Sequence, residues 1–226
     1  TGGSNVAVGR NALRANTTAD NNTAVGYNAG LSVTTGTGNT FIGGLAGDAN
    51  TTAIENTAVG YRALSANTTG TTTNAFGVDA LRLNTTANGN NAFGHSALET
   101  NTTGAHNTAM GHRALTVNTT ASNNIAVGSY ALTANTTGVD NVAVGYQSLD
   151  ANTTANNNTG LGRGALSATI TGSGNTGVGA YALQLNTTGA DNVSIGRNSL
   201  YSNTTANSNT AVGTSALVAN TTGANN

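Results

Sequence analysis

A large apolar residue returns every 17 residues along the chain, as Val8, Val25, Ile42, Val59, Phe76, Phe93, Met110, Val127, Val144, Leu161, Val178, Ile195 and Val212. A glycine follows each of them: Gly9, Gly26, Gly43, Gly60, Gly77, Gly94, Gly111, Gly128, Gly145, Gly162, Gly179, Gly196 and Gly213. The period holds at every step without insertion or deletion, so the 226 residues read as thirteen copies of one unit. Connections in a loop-rich globular fold tolerate changes of length. A strictly kept period requires each copy to close in the same number of residues.

Counted from the residue four places before that glycine, the unit is Asn-Thr-Ala-Val-Gly, two variable residues, Ala-Leu, two more variable residues, Asn-Thr-Thr, Gly or Ala, and two last variable residues. The 17 columns so defined differ in what they tolerate. Column 4 is always the large apolar residue, column 8 is Ala or Ser, and column 9 is Leu in eleven copies; these columns are expected to face inward. All charged residues and all six Tyr fall in columns 6, 7, 10, 16 and 17, the expected solvent-facing corners. Leu is missing from column 9 only at Gly30 and Gly47, in adjacent copies that also carry Leu31, Leu45 and, in the small-residue column 3, Phe41. The lost volume is expected to be returned locally.

Seventeen residues rich in Gly, Asn and paired Thr leave no uninterrupted helix of useful length, whereas helical solenoids need units of roughly 30 to 45 residues. Thr-Ala-Val-Gly alternates and carries β-branched residues, and Asn-Thr-Thr before Gly or Ala reads as a second short strand entering a turn. The expected fold is all-β, a parallel β-solenoid or β-roll of 13 coils of 17 residues, with two short strands per coil. It would run as a single array over 1–226, a segment of a longer fibre or filament. Coils paired in register at ~4.8 Å would span about 60 Å. Each column then becomes a ladder. The Asn of column 1 (Asn5, Asn22, Asn39, Asn56, Asn90 and onward) and of column 12 (Asn16, Asn50, Asn67, Asn84, Asn101, Asn118, Asn135, Asn152, Asn186, Asn203 and Asn220) would bond side chain to side chain up the stack. The glycine column would supply a backbone angle closed to other residues, or a close approach.

Composition narrows the function. The chain is 7% charged and 4% aromatic, with 31 Gly and no Pro, Cys or Trp, unlike an ordinary globular domain. Much of its apolar fraction is Ala, so a single thick core is not expected. Seven Arg spread along the whole length form no basic stripe for nucleic acid. No apolar run approaches the ~20 residues of a membrane span. One Leu and one Val-sized residue per coil offset only part of the ordering cost, which points to lateral association of several chains, three in parallel. End strands without Pro or Lys offer open edges, for continuation of the chain or for end-to-end stacking.

No constellation for catalysis emerges. His95 and His112 share column 6 in neighbouring copies with His106 between them, a conceivable metal clamp across chains, but solvated variable positions are the favoured reading. Asp20, Asp48, Glu55, Asp79, Glu99, Asp140, Asp150 and Asp191 never form a close pair within one copy. Gly160-Leu161-Gly162-Arg163-Gly164 lacks the helix and Lys of a phosphate loop. Asn-Thr-Thr satisfies the N-glycosylation pattern in eleven copies, but glycans would crowd at ~4.8 Å, so an inward ladder is expected. Tyr27, Tyr61, Tyr130, Tyr146, Tyr181 and Tyr201 are expected to be scattered surface aromatics, with carbohydrate contact as the functional alternative.

Asn-Thr-Ala-Val-Gly-Tyr at 22 to 27 and 56 to 61, Ala-Leu at 12 to 13 and 63 to 64, and Asn-Thr-Thr-Gly at 67 to 70 and 101 to 104 resemble the repeats of bacterial and phage tail-fibre-domain proteins. They are also similar to the shorter head repeats of YadA-like trimeric autotransporter adhesins. The likeness spans the whole chain. It implies a trimeric, left-handed β-roll in a fibre that is extracellular, on a cell surface or on a virion. The expected function is a structural fibre shaft or adhesive head, non-enzymatic and without cofactor. Its expected partners are its own copies, as a trimer or a filament, and a cell-surface glycan or receptor. A self-assembling extracellular filament and an ice-binding solenoid with an outward Thr array are the alternatives.

Overall fold

The computed structural model describes residues 2–226 and is a parallel β-solenoid without a helix among them. Its strands are β1 (Val6–Val8), β2 (Thr23–Val25), β3 (Thr40–Ile42), β4 (Thr57–Val59), β5 (Asn74–Phe76), β6 (Asn91–Phe93), β7 (Thr108–Met110), β8 (Ile125–Val127), β9 (Val142–Val144), β10 (Thr159–Leu161), β11 (Thr176–Val178), β12 (Val193–Ile195) and β13 (Thr210–Val212). All are parallel and follow sequence order. The chain forms two compact units, 1–110 and 111–226. Within the first, β1 to β7 pair in succession, column on column, as in Val6 opposite Thr23 and Val8 opposite Val25. Within the second, β8 to β13 do the same, as in Val142 opposite Thr159.

Each coil holds one strand of three residues, columns 2 to 4, where two expected strands become one. The Thr-Thr segment is a bend. The N–H groups of Thr34, Thr35 and Gly36 all donate to the carbonyl of Thr51 in the next coil, and converging donors cannot make the evenly spaced bonds of a parallel ladder. Two tight turns shape the rest of the coil, as in Ala131 N–H to the Gly128 carbonyl and Asn135 N–H to the Leu132 carbonyl.

The second difference concerns column 4, which faces outward. Successive side chains in a strand point to opposite faces, and column 3 points in, with Ala24, Ala58, Ala92 and Ala143 fully buried. Columns 2 and 4 must then point out, whatever their size. Val8 is 56% exposed and Met110 44%. The interior has no room for a larger residue in column 3, because the Leu of column 9 lies opposite. A Cβ built on Gly177 would stand 3.2 Å from Leu166 Cγ. The core is thus a narrow stack of Leu, Ala and Asn from columns 1, 3, 8, 9, 12 and 15.

Burying that Leu carries a conformational cost. Leu64, Leu98, Leu132 and Leu166 have φ between 51° and 56°, a left-handed conformation that costs an L-residue roughly 1–2 kcal/mol. Full burial of Leu, about 1.5–3 kcal/mol, offsets it. Gly30 and Gly47 relieve the strain but remove the side chain. Phe41 then fills the space: it is fully buried, a Cβ on Gly30 would stand 2.9 Å from its Cδ2, and a Cβ on Gly47 would overlap its ring. Leu31 and Leu45 are half exposed and take no comparable share.

The glycine of column 5 answers two demands at once. Its φ lies between 126° and 141° in all thirteen coils, where a side chain is strained. A Cβ on Gly145 would also stand 2.5 Å from the carbonyl oxygen of Gly162 in the next coil. In the last coil a Cβ on Gly213 would meet nothing nearer than Ala216 Cβ at 4.0 Å. Gly145→Ala is therefore expected to cost about 3 kcal/mol or more and Gly213→Ala about 1 kcal/mol, the difference isolating the inter-coil contact. Denaturant unfolding of the two variants measures it.

Candidate functional site

The two Asn columns are interior staples. Asn22, Asn141 and Asn175 of column 1 are fully buried. Asn141 Nδ2 donates to the carbonyl of Ala155 at 2.9 Å, and its Oδ1 accepts from the Asn158 N–H at 3.0 Å. Column 12 closes the bend: Asn67 Nδ2 donates to the Gly70 carbonyl at 2.9 Å and to Asn50 Oδ1 at 3.0 Å. The ladder continues through Asn84 and Asn101 in the first unit, and through Asn118, Asn135 and Asn152 in the second. Val33 and Thr169 interrupt it. Nine Asn of this column, from Asn50 to Asn203, are fully buried, so the Asn-Thr-Thr pattern offers no accessible amide for a glycan in those coils. Asn16 and Asn220, in the end coils, are partly exposed.

Three surfaces remain. The first is the outer face of the strands, columns 2 and 4. It presents an unbroken apolar column on each unit, with Phe76 and Phe93 stacked at 4.8 Å between ring centroids and 6° between planes. None of its residues is charged.

The second is the Thr pair. Column 13 hydroxyls are used within the chain, as in Thr68 Oγ1 donating to the Thr85 carbonyl and Thr136 Oγ1 to that of Thr153, each at 3.1 Å. Column 14 differs. Its thirteen Thr, including Thr35, Thr69, Thr137 and Thr188, are all exposed. Packing therefore does not explain why the residue never changes, while exposed columns 6, 7, 10, 16 and 17 vary freely.

The third surface is the corner made by columns 6, 7 and 10, where charge and aromatic rings collect. Column 7 has positive φ throughout, as at Arg62, Tyr130 and Tyr181, and this places its side chains at the tip of a turn. In the first unit Arg62 Nη2 donates to Asp79 Oδ2 at 2.8 Å, and Arg82 Nη2 donates to Glu99 Oε1 at 2.9 Å. Arg82 Nε stands 3.8 Å from Asp79 Oδ1 and links the two pairs. The Asp79 carboxylate holds the Arg62 guanidinium still more firmly protonated. Guanidinium groups lie near ring faces at Arg10 and Tyr27 (6.0 Å) and at Arg62 and Tyr61 (5.1 Å). In the second unit Arg163 lies 5.8 Å from Tyr146 and 5.6 Å from Tyr181. Tyr130 meets His112 and Tyr146 edge to face.

No protein-family model, no curated protein and no solved structure matches this chain.

No group of three metal-ligating side chains occurs among the described residues. His95 and His112 belong to different units, and the His106 ring lies over Gly89. Two column 10 carboxyls are unusual. Burial pushes Asp48 and Asp150 above the ordinary carboxylate value of 3.8, only partly opposed by their own N–H groups and those of Ala49 and Ala151. Oδ1 of each is buried without a hydrogen-bond partner. Such a group binds its proton more tightly folded than unfolded, so its contribution to stability falls as pH rises through the ordinary value towards the raised one. Asp150→Asn is expected to raise the thermal midpoint at about pH 7 and to leave it nearly unchanged at about pH 3. Thermal unfolding of the two chains at both pH values provides the check.

Proposed function

We propose that the chain is a non-enzymatic structural fibre segment, extracellular or virion-borne, whose coils associate laterally in threes and whose variable corners form an adhesive surface. The apolar column 4 on the outer face of the strands carries this reading. A large apolar residue stands outward in every coil of a chain whose interior is otherwise thin, and contiguous apolar surface of this kind marks an interaction site. Its spacing is the coil spacing, so a partner with the same rung-by-rung repeat meets every residue at once, and a second copy of this chain has that repeat. Parallel copies would bring column 4 of each chain to a shared axis and leave columns 6, 7 and 10 towards solvent. The resemblance to fibre and adhesin repeats gives the count of three.

A second reading draws on column 14. An outward Thr in every coil offers a methyl and a hydroxyl at a regular ~4.8 Å spacing, which an ice-binding face requires. Only one Thr of each pair is available, because the column 13 hydroxyl is used inside.

Sedimentation equilibrium is expected to give three times the 22.1 kDa chain mass. Val59→Lys with Val144→Lys, both on the outer face, is expected to yield monomers with an unchanged far-ultraviolet spectrum. A native chain that stays monomeric at about 100 μM, far above the dissociation constant of an obligate assembly, overturns the fibre reading. Thermal hysteresis in the native chain, abolished by Thr137→Lys, is the outcome expected if column 14 binds ice.

A further inference from the structure

In the second unit, coils 11 and 12 enclose a shallow cleft of about 460 Å³ lined by Tyr181, Gln184, Arg197, Asn198 and Tyr201. We propose that this cleft binds an acidic saccharide, a sugar unit bearing a carboxylate. The inference rests on the reading of the chain as an adhesive fibre and gives its corner a ligand class.

The register of the coils builds the cleft. Tyr181 and Asn198 share column 7 in successive coils, Gln184 and Tyr201 share column 10, and Arg197 stands beside Asn198. Inter-coil backbone bonds hold these rungs: Asn198 N–H donates to the Ala180 carbonyl at 3.1 Å, and Leu185 N–H to the Tyr201 carbonyl at 3.1 Å. Tyr181 and Asn198 have φ of 61° and 58°, which fixes both at turn tips. The preceding coil has Gly164 in column 7, and a Cβ there would stand 2.9 Å from Tyr181 Cδ1. The ring thus rests over a position kept free of a side chain. The following coil carries the small Ser215 in the same column. The taller side chains of coils 11 and 12 form the walls.

The chemistry matches a sugar. Two Tyr provide apolar ring faces with polar rims, suited to a ligand that is apolar on its C–H face and polar at its edge. Gln184 and Asn198 add two amides, each able to donate and accept. Asn residues of columns 1 and 12 are bonded within the chain, as at Asn141 and Asn67, but among the described residues no hydrogen bond engages the side chains of these five. Arg197 is the only charged residue in the lining and, among the described residues, has no carboxylate within ion-pair distance. A planar guanidinium with five donors pairs with a carboxylate in two parallel bonds. Arg163 lies 5.6 Å from the Tyr181 ring and adds a cation beside the cleft, whereas Tyr27 and Tyr61, about half exposed beside Arg10 and Arg62, lie outside it.

The test is titration calorimetry of the full chain with sialyllactose and with an oligogalacturonate, using lactose and cellohexaose as neutral counterparts. At least one acidic sugar is expected to bind, with affinity reduced about tenfold or more by Tyr201→Ala and by Arg197→Gln, roughly 1.4 kcal/mol. Tyr27→Ala, outside the cleft, is expected to leave binding unchanged. Absence of binding at about 10 mM of either acidic sugar, beyond the weakest range of specific recognition, overturns the proposal. So does equal loss in Tyr27→Ala, or neutral sugars binding as tightly with Arg197→Gln unaffected. Sedimentation of the same variants reports assembly separately, so a trimer that binds no acidic sugar rejects the cleft and leaves the fibre reading standing.

Discussion

Within each unit, neighbouring coils meet backbone against backbone at column 5, where a glycine such as Gly145 lies against the glycine carbonyl of the next coil. That contact leaves no space for a Cβ and sets the chain at a φ that only glycine adopts freely. Once the coils are held this near, every other column follows. Small residues fill column 3 because Leu stands across the core, and Asn staples fill columns 1 and 12 because buried carbonyls and N–H groups need partners. A buried Asn would otherwise be expensive. Here each amide satisfies its own coil and an adjacent one, so the polar interior is bonded almost throughout.

The solenoid, its period and its register were legible because a strict repeat constrains every coil in the same way. Gly145 and Asn67 could be placed in ladders from spacing alone. The compensation by Phe41 was also legible, since a large residue in a small column coincided with two missing Leu. Two features were not. Val25 and its equivalents look like core by size, but the alternation of a three-residue strand turns them out once Ala24 points in. The left-handed Leu of column 9 is hidden because Leu gives no conformational signal of its own; only its two exchanges for glycine, at Gly30 and Gly47, hint that the position has positive φ.

The cleft between coils 11 and 12 was legible only in part. Tyr181 and Tyr201 were visible as variable-column aromatics. Their convergence with Arg197, Asn198 and Gln184 depends on the cross-coil register of columns 6, 7 and 10, and on the missing side chain at Gly164, over which the Tyr181 ring lies. A list of surface tyrosines contains neither. The same variability that makes these columns a poor guide to the fold makes them the natural place for recognition, since a change there leaves the stack untouched.

Every inter-coil bond in each unit joins nearest neighbours and runs along the stacking direction, with partners 17 residues apart or nearly so. Under a pull along that direction the bonds carry load in series and break one coil at a time. Each rupture releases 17 residues, up to about 55 Å of extended chain, in place of a single ~4.8 Å rung. A tether made this way would lengthen in steps under strain, absorbing mechanical work while the remaining coils keep their form.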